Sequence, residues 1–131
     1  MTKTRRVFEQ GHRRKFLVIV DESAEAETAL FFAASRVLHS SGQIQLLYVI
    51  EPQEYQHWAG VRQVQIDEET RKAEALFRLF RRKLTQEGFQ DVAVDETIRE
   101  GKKTEAILKL IDEDEDIAVM VLGASTDAKG P

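Results

Sequence analysis

At 131 residues, with 42% apolar residues, the chain is long enough for one domain with a substantial core. It contains no cysteine, which excludes disulfides, thiolate chemistry and cysteine-ligated zinc. Its net charge is −4, and no apolar stretch has the length of a membrane span or the pattern of a signal peptide, so we expect a cytoplasmic protein without a membrane partner.

The chain begins with a basic segment. Residues 1–15 carry six Lys or Arg against one Glu, whereas residues 85–131 carry twelve acids against five bases. We expect residues 1–14 to be a flexible, solvated leader, and residues 15–131 to be the single folded domain. The alternative is a basic arm that meets nucleic acid or an acidic surface. Because the rest of the chain is net acidic, nucleic-acid binding is not expected.

The first folded segment is an apolar run at residues 16–20, followed at once by Asp21, Glu22 and Ser23. Such a run predicts a strand buried on both faces, as in parallel sheets covered by helices. Ser23 is the predicted N-cap of an alanine-rich helix over residues 24–41. Parallel sheets of this kind bind ligands beyond the carboxyl ends of their strands, so this segment indicates the location of a site.

A second strand and a long helix follow. Gly42 ends the first helix, and residues 43–50 predict the second strand. Residues 53–65 show no clean period, so we expect a loop or a short helix there. Residues 66–87 predict an amphipathic helix with its arginines on the solvated face.

The last predicted elements are shorter and more polar. Residues 92–98 predict a third strand at a sheet edge, and Thr104 is the predicted cap of a third helix. The acidic run 112–116 opposes the helix macrodipole, so we expect it to be a loop. It is not expected to bind a metal, because consecutive acids cannot all point at one ion. Residues 117–122 predict the fourth strand, and a polar loop follows.

Four segments at matching distances together resemble the universal stress protein family: residues 20–23, 47–52, 101–107 and 119–124. The resemblance implies an α/β fold, an open doubly wound parallel sheet flanked by helices, of order 3-2-1-4-5. It also implies a cytoplasmic homodimer that binds a nucleotide in some subgroups. This chain supplies the order 3-2-1-4, and the family's fifth strand has no counterpart before Pro131. We therefore expect a C-terminally incomplete domain whose fourth-strand edge meets a second copy or another protein.

That strand order places a crevice at the switch point between strands 1 and 4. The resemblance implies that Asp21 and the backbone near Val49 and Ile50 hold adenine and ribose, and that a glycine-rich loop after strand 4 holds the phosphates. Gly123 matches the first glycine of that loop, but Thr126 stands at the second, where a Cβ hinders close approach of a phosphate. The candidate nucleotide-binding residues are Asp21, Glu22, Ser23, Val49, Ile50, Gly123, Ser125, Thr126 and Lys129.

The departure at Thr126 favours a regulatory, stress-response binding module that acts through protein contacts and does not bind ATP tightly. The alternative is an ATP or AMP sensor, with Mg²⁺ on the phosphates and Tyr55 or Trp58 stacked on the base. Catalysis is not expected, because only His57 of the three histidines is predicted near the crevice. If the chain is an enzyme, slow nucleotide hydrolysis with Asp21 near a metal-bound phosphate is the reaction that the site would best suit.

Overall fold

The computed structural model describes residues 14–52 and 59–122. Strands and helices alternate along this part of the chain, as expected for an α/β domain. The elements are β1 (Lys15–Ile19), α1 (Ala24–Leu38), β2 (Gln43–Ile50), α2 (Ala59–Gln86), β3 (Val94–Glu100), α3 (Lys103–Glu113) and β4 (Ile117–Val121). None of the helices in these ranges is both long and apolar enough to cross a bilayer.

The four strands form one parallel sheet in the order β3-β2-β1-β4. The predicted fold class, an open doubly wound parallel sheet flanked by helices, is therefore confirmed, as is the edge position of β3. Following the chain, β2 is added on one side of β1 and β3 is added beyond β2, whereas β4 is added on the other side of β1. The direction of winding thus reverses between β1 and β4, where the sequence predicted a crevice.

In the described part of the chain, two helices cover one face of the sheet and one helix covers the other. On the first face, β1 and β2 pack against α1 and α2 in a core that includes Val18, Leu46 and Phe77. On the second face, Leu17 and Leu47 pack against Leu110 of α3. Adjacent residues of one strand thus pack into cores on opposite faces of the sheet, which explains why both faces of β1 are apolar.

Helix α1 lies close to the sheet because its inward face is made of small side chains. Ala29, Ala33 and Ala34 are buried beside Leu30, which is fully inaccessible to solvent. The helix begins as the sequence predicted, since the Ala26 N–H donates to Ser23 Oγ at 3.2 Å. It ends at Leu38, about one turn before the predicted end.

Helix α2 begins at Ala59, so residues 59–65 are the first turns of the long helix and not the loop or separate short helix that was expected there. The most buried position of the first two turns is the polar Gln65, and this hid the helical period from the hydrophobic pattern. Gln65 is 8% exposed, and its amide donates to the Glu51 carbonyl at 3.2 Å. One turn later Glu69 continues the same stripe, which becomes apolar only at Ala73.

Helix α3 also differs from prediction at both ends. Its N-cap is Lys102, which makes no side-chain capping bond, and Thr104 lies inside the helix, so the predicted Thr104 cap is wrong. Gly101, at φ +138°, lies in the turn out of β3, and the helix starts at Lys103, two residues earlier than predicted.

At its other end α3 continues through Glu113, so the first two acids of the run 112–116 are helical and the prediction of a loop holds only for the remainder. Ion pairs offset the unfavourable macrodipole. Arg99 on β3 pairs with Glu113 at 2.9 Å, and Lys15 on β1 pairs with Asp114 at 2.6 Å. Both cations come from strands distant in sequence, so the sequence pattern gave no indication of them.

Candidate functional site

A crevice opens at the carboxyl ends of β1 and β2, next to the point where the winding reverses. Its volume is about 210 Å³. It is lined by the ends of both strands and by one residue each from α2 and α3: Val20, Asp21, Tyr48, Val49, Glu51, Glu69 and Lys103. Two of the predicted site residues, Asp21 and Val49, are therefore brought together here.

Asp21 has a structural role at the start of α1. Its Oδ1 accepts hydrogen bonds from the Ser23 backbone N–H at 2.8 Å and from the Ser23 hydroxyl at 2.5 Å. Ser23 in turn accepts from the Ala26 N–H, so the two side chains form one short chain of hydrogen bonds into the helix. A carboxylate beside a helix N-terminus is stabilised by the macrodipole even without a ligand.

Glu22 is not among the residues that line the crevice, and it takes part in an ionic cluster with α2. Lys72 Nζ lies 2.7 Å from Glu22 Oε1 and 4.0 Å from Glu69 Oε2. Glu69 also accepts a hydrogen bond from the Tyr48 hydroxyl at 3.3 Å. The cluster links the loop after β1 to α2 across the end of β2, and two of its members, Tyr48 and Glu69, line the crevice.

The electrostatics of this cluster perturb two groups. Burial raises the pKa of the Tyr48 hydroxyl, and the neighbouring carboxylate of Glu69 raises it further. The hydrogen bond to Glu22 raises the pKa of Lys72. At neutral pH the tyrosine is thus a neutral donor and the lysine a cation, so both are in the form that the contacts with Glu69 and Glu22 require.

The end of β2 offers less free backbone than the sequence suggested. Val49 is half-buried in the crevice, whereas Ile50 is only 2% exposed. The Ile50 carbonyl accepts from the Gly101 N–H at 3.0 Å, and the Glu51 carbonyl accepts from the Gln65 amide. These two carbonyl oxygens already accept hydrogen bonds from the protein, and the edge of a bound adenine would have to use their remaining lone pairs.

The sequence did not identify Tyr48, Glu51, Glu69 and Lys103 as site residues. Tyr48 reads as an ordinary strand residue, and its hydroxyl reaches the crevice only because the strand ends there. The sequence did contain an indication for Glu69, because a residue four positions before the buried Ala73 lies on the same, inward face of the helix. The predicted residues Gly123, Ser125, Thr126 and Lys129, together with Tyr55, His57 and Trp58, lie outside the described residues.

The described chain offers little for catalysis or metal binding at this crevice. His39 is the C-cap of α1, at the opposite end of the sheet from the crevice. Within residues 14–52 and 59–122, no three His, Asp or Glu side chains are grouped so that they could share a metal ion. The arrangement is suited to binding: it presents hydrogen-bond acceptors, one ammonium group and an apolar floor.

A parallel sheet of this order, flanked by helices on both faces, defines the class of doubly wound α/β domains. The model of the universal stress protein family matches residues 12–128, so the chain belongs to that family. None of the curated proteins searched matches the sequence significantly.

Solved structures share the fold. Hypothetical protein MJ0577 superposes with a TM-score of 0.70 at 23% identity, covering 88% of this chain and 80% of that one. UspA from Lactobacillus plantarum gives a TM-score of 0.69 at 20% identity, covering 92% and 86%. A universal stress protein in complex with cAMP gives 0.57 at 19% identity, covering 83% and 75%.

Proposed function

We propose that this chain is a regulatory, stress-response binding module that works in the cytoplasm through protein contacts at the edge of β4. The observation that carries this proposal is the apolar surface along that edge. Met120 is 39% exposed and Leu122 is 69% exposed. Between β4 and α1 runs an apolar groove of about 340 Å³, with Phe32, 49% exposed, on its helical side.

This surface suits a strand from a second copy of the chain. Among the described residues β4 pairs only with β1, so the backbone groups on its outer side have no partner strand there. An edge strand with apolar neighbours is a template for pairing with another strand. The partner would gain backbone hydrogen bonds from β4 and would bury Phe32 and Leu122. A homodimer built on this edge is therefore the proposed working form.

A second candidate function is the binding of an adenine nucleotide such as ATP or AMP in the crevice, with Mg²⁺ on the phosphates. The crevice position and the family relative solved with cAMP support it. Against tight binding of ATP stand the three carboxylates of Asp21, Glu51 and Glu69 in the lining, with Lys103 as its single cation. The threonine at position 126 also replaces a glycine that would let backbone amides approach a phosphate. We therefore rank nucleotide binding as the second candidate function, and we expect the affinity to be weak.

The dimer proposal is tested by measuring the mass of the native protein in solution with light scattering after size-exclusion chromatography. We expect twice the chain mass of 15.0 kDa. Met120→Lys should give the monomer mass, because an ammonium group would lie in the apolar contact. Val64→Lys is the matched control, since Val64 is 56% exposed on α2, away from β4, and should leave the mass unchanged. A monomeric native protein at high concentration would contradict the proposal.

Nucleotide binding is tested separately by calorimetric titration with ATP, ADP and AMP in the presence of Mg²⁺. We expect no dissociation constant below about 1 mM, which corresponds to roughly −4 kcal/mol. A tighter constant for ATP would reverse the order of the two candidate functions. Heat that persists in the Met120→Lys monomer would show that the crevice acts independently of the β4 edge.

A further inference from the structure

The outer side of β3 is the second edge of the described sheet. Among the described residues β3 pairs only with β2, so the backbone groups on its other side have no partner strand there. This edge strand is longer than β4, with seven residues against five. A long edge strand is a template for a strand of another chain unless a side chain or another element covers it.

The hydrogen bonds to β2 show which backbone groups of β3 point outward. At one end of the ladder the Ala93 carbonyl accepts from the Ile44 N–H at 2.9 Å, and at the other end the Gly101 N–H donates to the Ile50 carbonyl at 3.0 Å. In a parallel pair every second residue of a strand bonds to the same neighbour. The odd-numbered residues of β3 therefore face β2. The outward-facing residues are Val94, Glu96, Ile98 and Glu100.

Arg81 of α2 covers one end of this edge. Its Nη2 donates to the Val94 carbonyl at 2.9 Å, and its Nε donates to Glu96 Oε2 at 2.5 Å. At the other end of β3, Arg62 binds the side chain of Glu100. The Arg81 guanidinium thus occupies an outward backbone acceptor, where the N–H of an added strand would bind.

The backbone of this edge is complementary to a second copy of itself. We consider two β3 strands placed antiparallel about a two-fold axis at Thr97. Each outward residue then lies opposite an outward residue of the other copy. The opposed pairs are Val94 with Glu100 and Glu96 with Ile98. Opposed residues that face each other in this way exchange N–H and C=O hydrogen bonds, so all four outward residues of each strand are paired.

The side chains of β3 suit the same register. Asp95 lies opposite Arg99, which has the opposite charge, and Thr97 lies opposite its own copy. Both glutamates of the strand lie opposite an apolar residue, so no like charges are directly opposed. Asp95 and Arg99 already have partners within the chain. The pairing therefore depends on backbone hydrogen bonds and needs no new ion pair.

We propose that the outer edge of β3 is a docking surface for β3 of a second copy, in the antiparallel register centred on Thr97, and that Arg81 holds this surface closed. Pairing requires the guanidinium to leave the Val94 carbonyl, where the Glu100 N–H of the other copy takes its place. The Arg81 side chain is 46% exposed, so solvent weakens its contacts and it can be displaced. The proposal concerns the edge opposite β4 and depends on neither proposed function.

Arg81→Ala tests whether the guanidinium closes the edge. We expect light scattering to give a mass at least about twice that of the native protein at equal concentration, because a self-complementary contact becomes available. Arg82→Ala is the matched control, since Arg82 is the next exposed residue of α2 and no hydrogen bond or ion pair joins it to the described strands. Each variant changes the net charge from −4 to −5, so a loss of charge repulsion cannot explain association.

The register is tested by a disulfide, since the chain contains no cysteine. In Arg81→Ala, the added change Thr97→Cys would bring two thiols together at Cα positions roughly 4.5 Å apart, within the range of a disulfide. With oxidised glutathione as the oxidant, we expect a cross-linked dimer on a non-reducing gel. Asp95→Cys in the same background is the control. Its copy would lie four residues further along the strand, about 13 Å away, and it should not cross-link.

Three results would overturn the proposal. The first is a native mass for Arg81→Ala with an unchanged circular dichroism spectrum, and the second is an equal rise in mass for Arg82→Ala. The third is cross-linking of Asp95→Cys as complete as that of Thr97→Cys. Thr97→Cys should also cross-link more slowly when Arg81 is kept, and an equal rate would refute the role of Arg81. The mass of the native protein tests the β4 dimer separately.

Discussion

Replacing Asp21 separates a structural role from a ligand contact at the crevice. In Asp21→Ala the carboxylate oxygen that accepts from the Ser23 N–H and from the Ser23 hydroxyl is lost. In Asp21→Asn an amide oxygen can still accept at the same position, but the negative charge beside the helix N-terminus is gone. The two variants therefore remove different parts of the same interaction.

The expected cost follows from the geometry. Both hydrogen bonds are exposed, so we assign them jointly about 1 kcal/mol rather than the full value for two charge-assisted bonds. The electrostatic attraction to the helix N-terminus adds about 0.5 kcal/mol. Asp21→Ala should then lower the free energy of unfolding by about 1.5 kcal/mol, and Asp21→Asn by roughly a third of that. At about 3 °C to 5 °C per kcal/mol for a chain of this length, the melting temperature of Asp21→Ala should fall by roughly 6 °C.

The assay is urea unfolding followed by circular dichroism, with nucleotide titration of each folded variant. Glu68→Gln serves as the control, because Glu68 is an exposed acid on α2 and should change the stability by less than about 0.5 kcal/mol. If Asp21→Ala unfolds at the same urea concentration as the native protein, the structural role of Asp21 is refuted. If it also loses measurable nucleotide affinity, Asp21 is a ligand contact.

The remaining predictions concern the core, a titration and a turn. Leu30→Ala should lower the free energy of unfolding by about 3 to 4 kcal/mol in urea unfolding, whereas Leu38→Ala, half-exposed on the same helix, should cost less than about 1 kcal/mol. The folded pKa of Tyr48 lies above its unfolded value, so its stabilising contribution is complete below about pH 10 and is lost as the pH rises further. Alkaline melting curves should therefore fall less steeply for Tyr48→Phe, and an equally steep fall would contradict this. Gly101→Ala should cost about 1 to 3 kcal/mol, because φ is +138° there, while Gly60→Ala, a helical position with open space around its Cβ, should not lower the melting temperature.

The sheet was predictable because its central strands are made of apolar runs. Residues 16–20 and Gln43–Ile50 carry the core of both faces, and such runs have few alternatives to a covered parallel strand. The bounds of β3 were two residues off at both ends, since the Val92 N–H closes a turn onto the Phe89 carbonyl at 3.1 Å and only then does the strand begin. That hydrogen bond depends on the path of the chain after the end of α2, which the local hydrophobic pattern of the sequence does not determine.

The sequence predicted a crevice between strands 1 and 4, whereas the crevice among the described residues lies at the ends of β1 and β2, and its composition was only partly predictable. Topology alone places the crevice at the strand ends, and Asp21 and Val49 are found in its lining. Glu69 and Lys103 come from helices whose starts were misplaced by up to seven residues, so their positions relative to the strands could not be deduced. The helix starts were misplaced because polar side chains occupy inward positions in α2 and because no side chain caps α3.

The polar start of α2 has a consequence for how the protein opens. The helix is 28 residues long, about 42 Å, whereas β2 beneath it has eight residues and spans roughly 26 Å. Its first two turns are joined to the sheet by Gln65 and by an ion pair between Arg62 and Glu100, whereas Ala73, Phe77 and Phe80 hold the later turns in the core. Few apolar contacts must be given up for the first turns to unfold locally, so this end of α2 can fray while the rest of the domain remains folded.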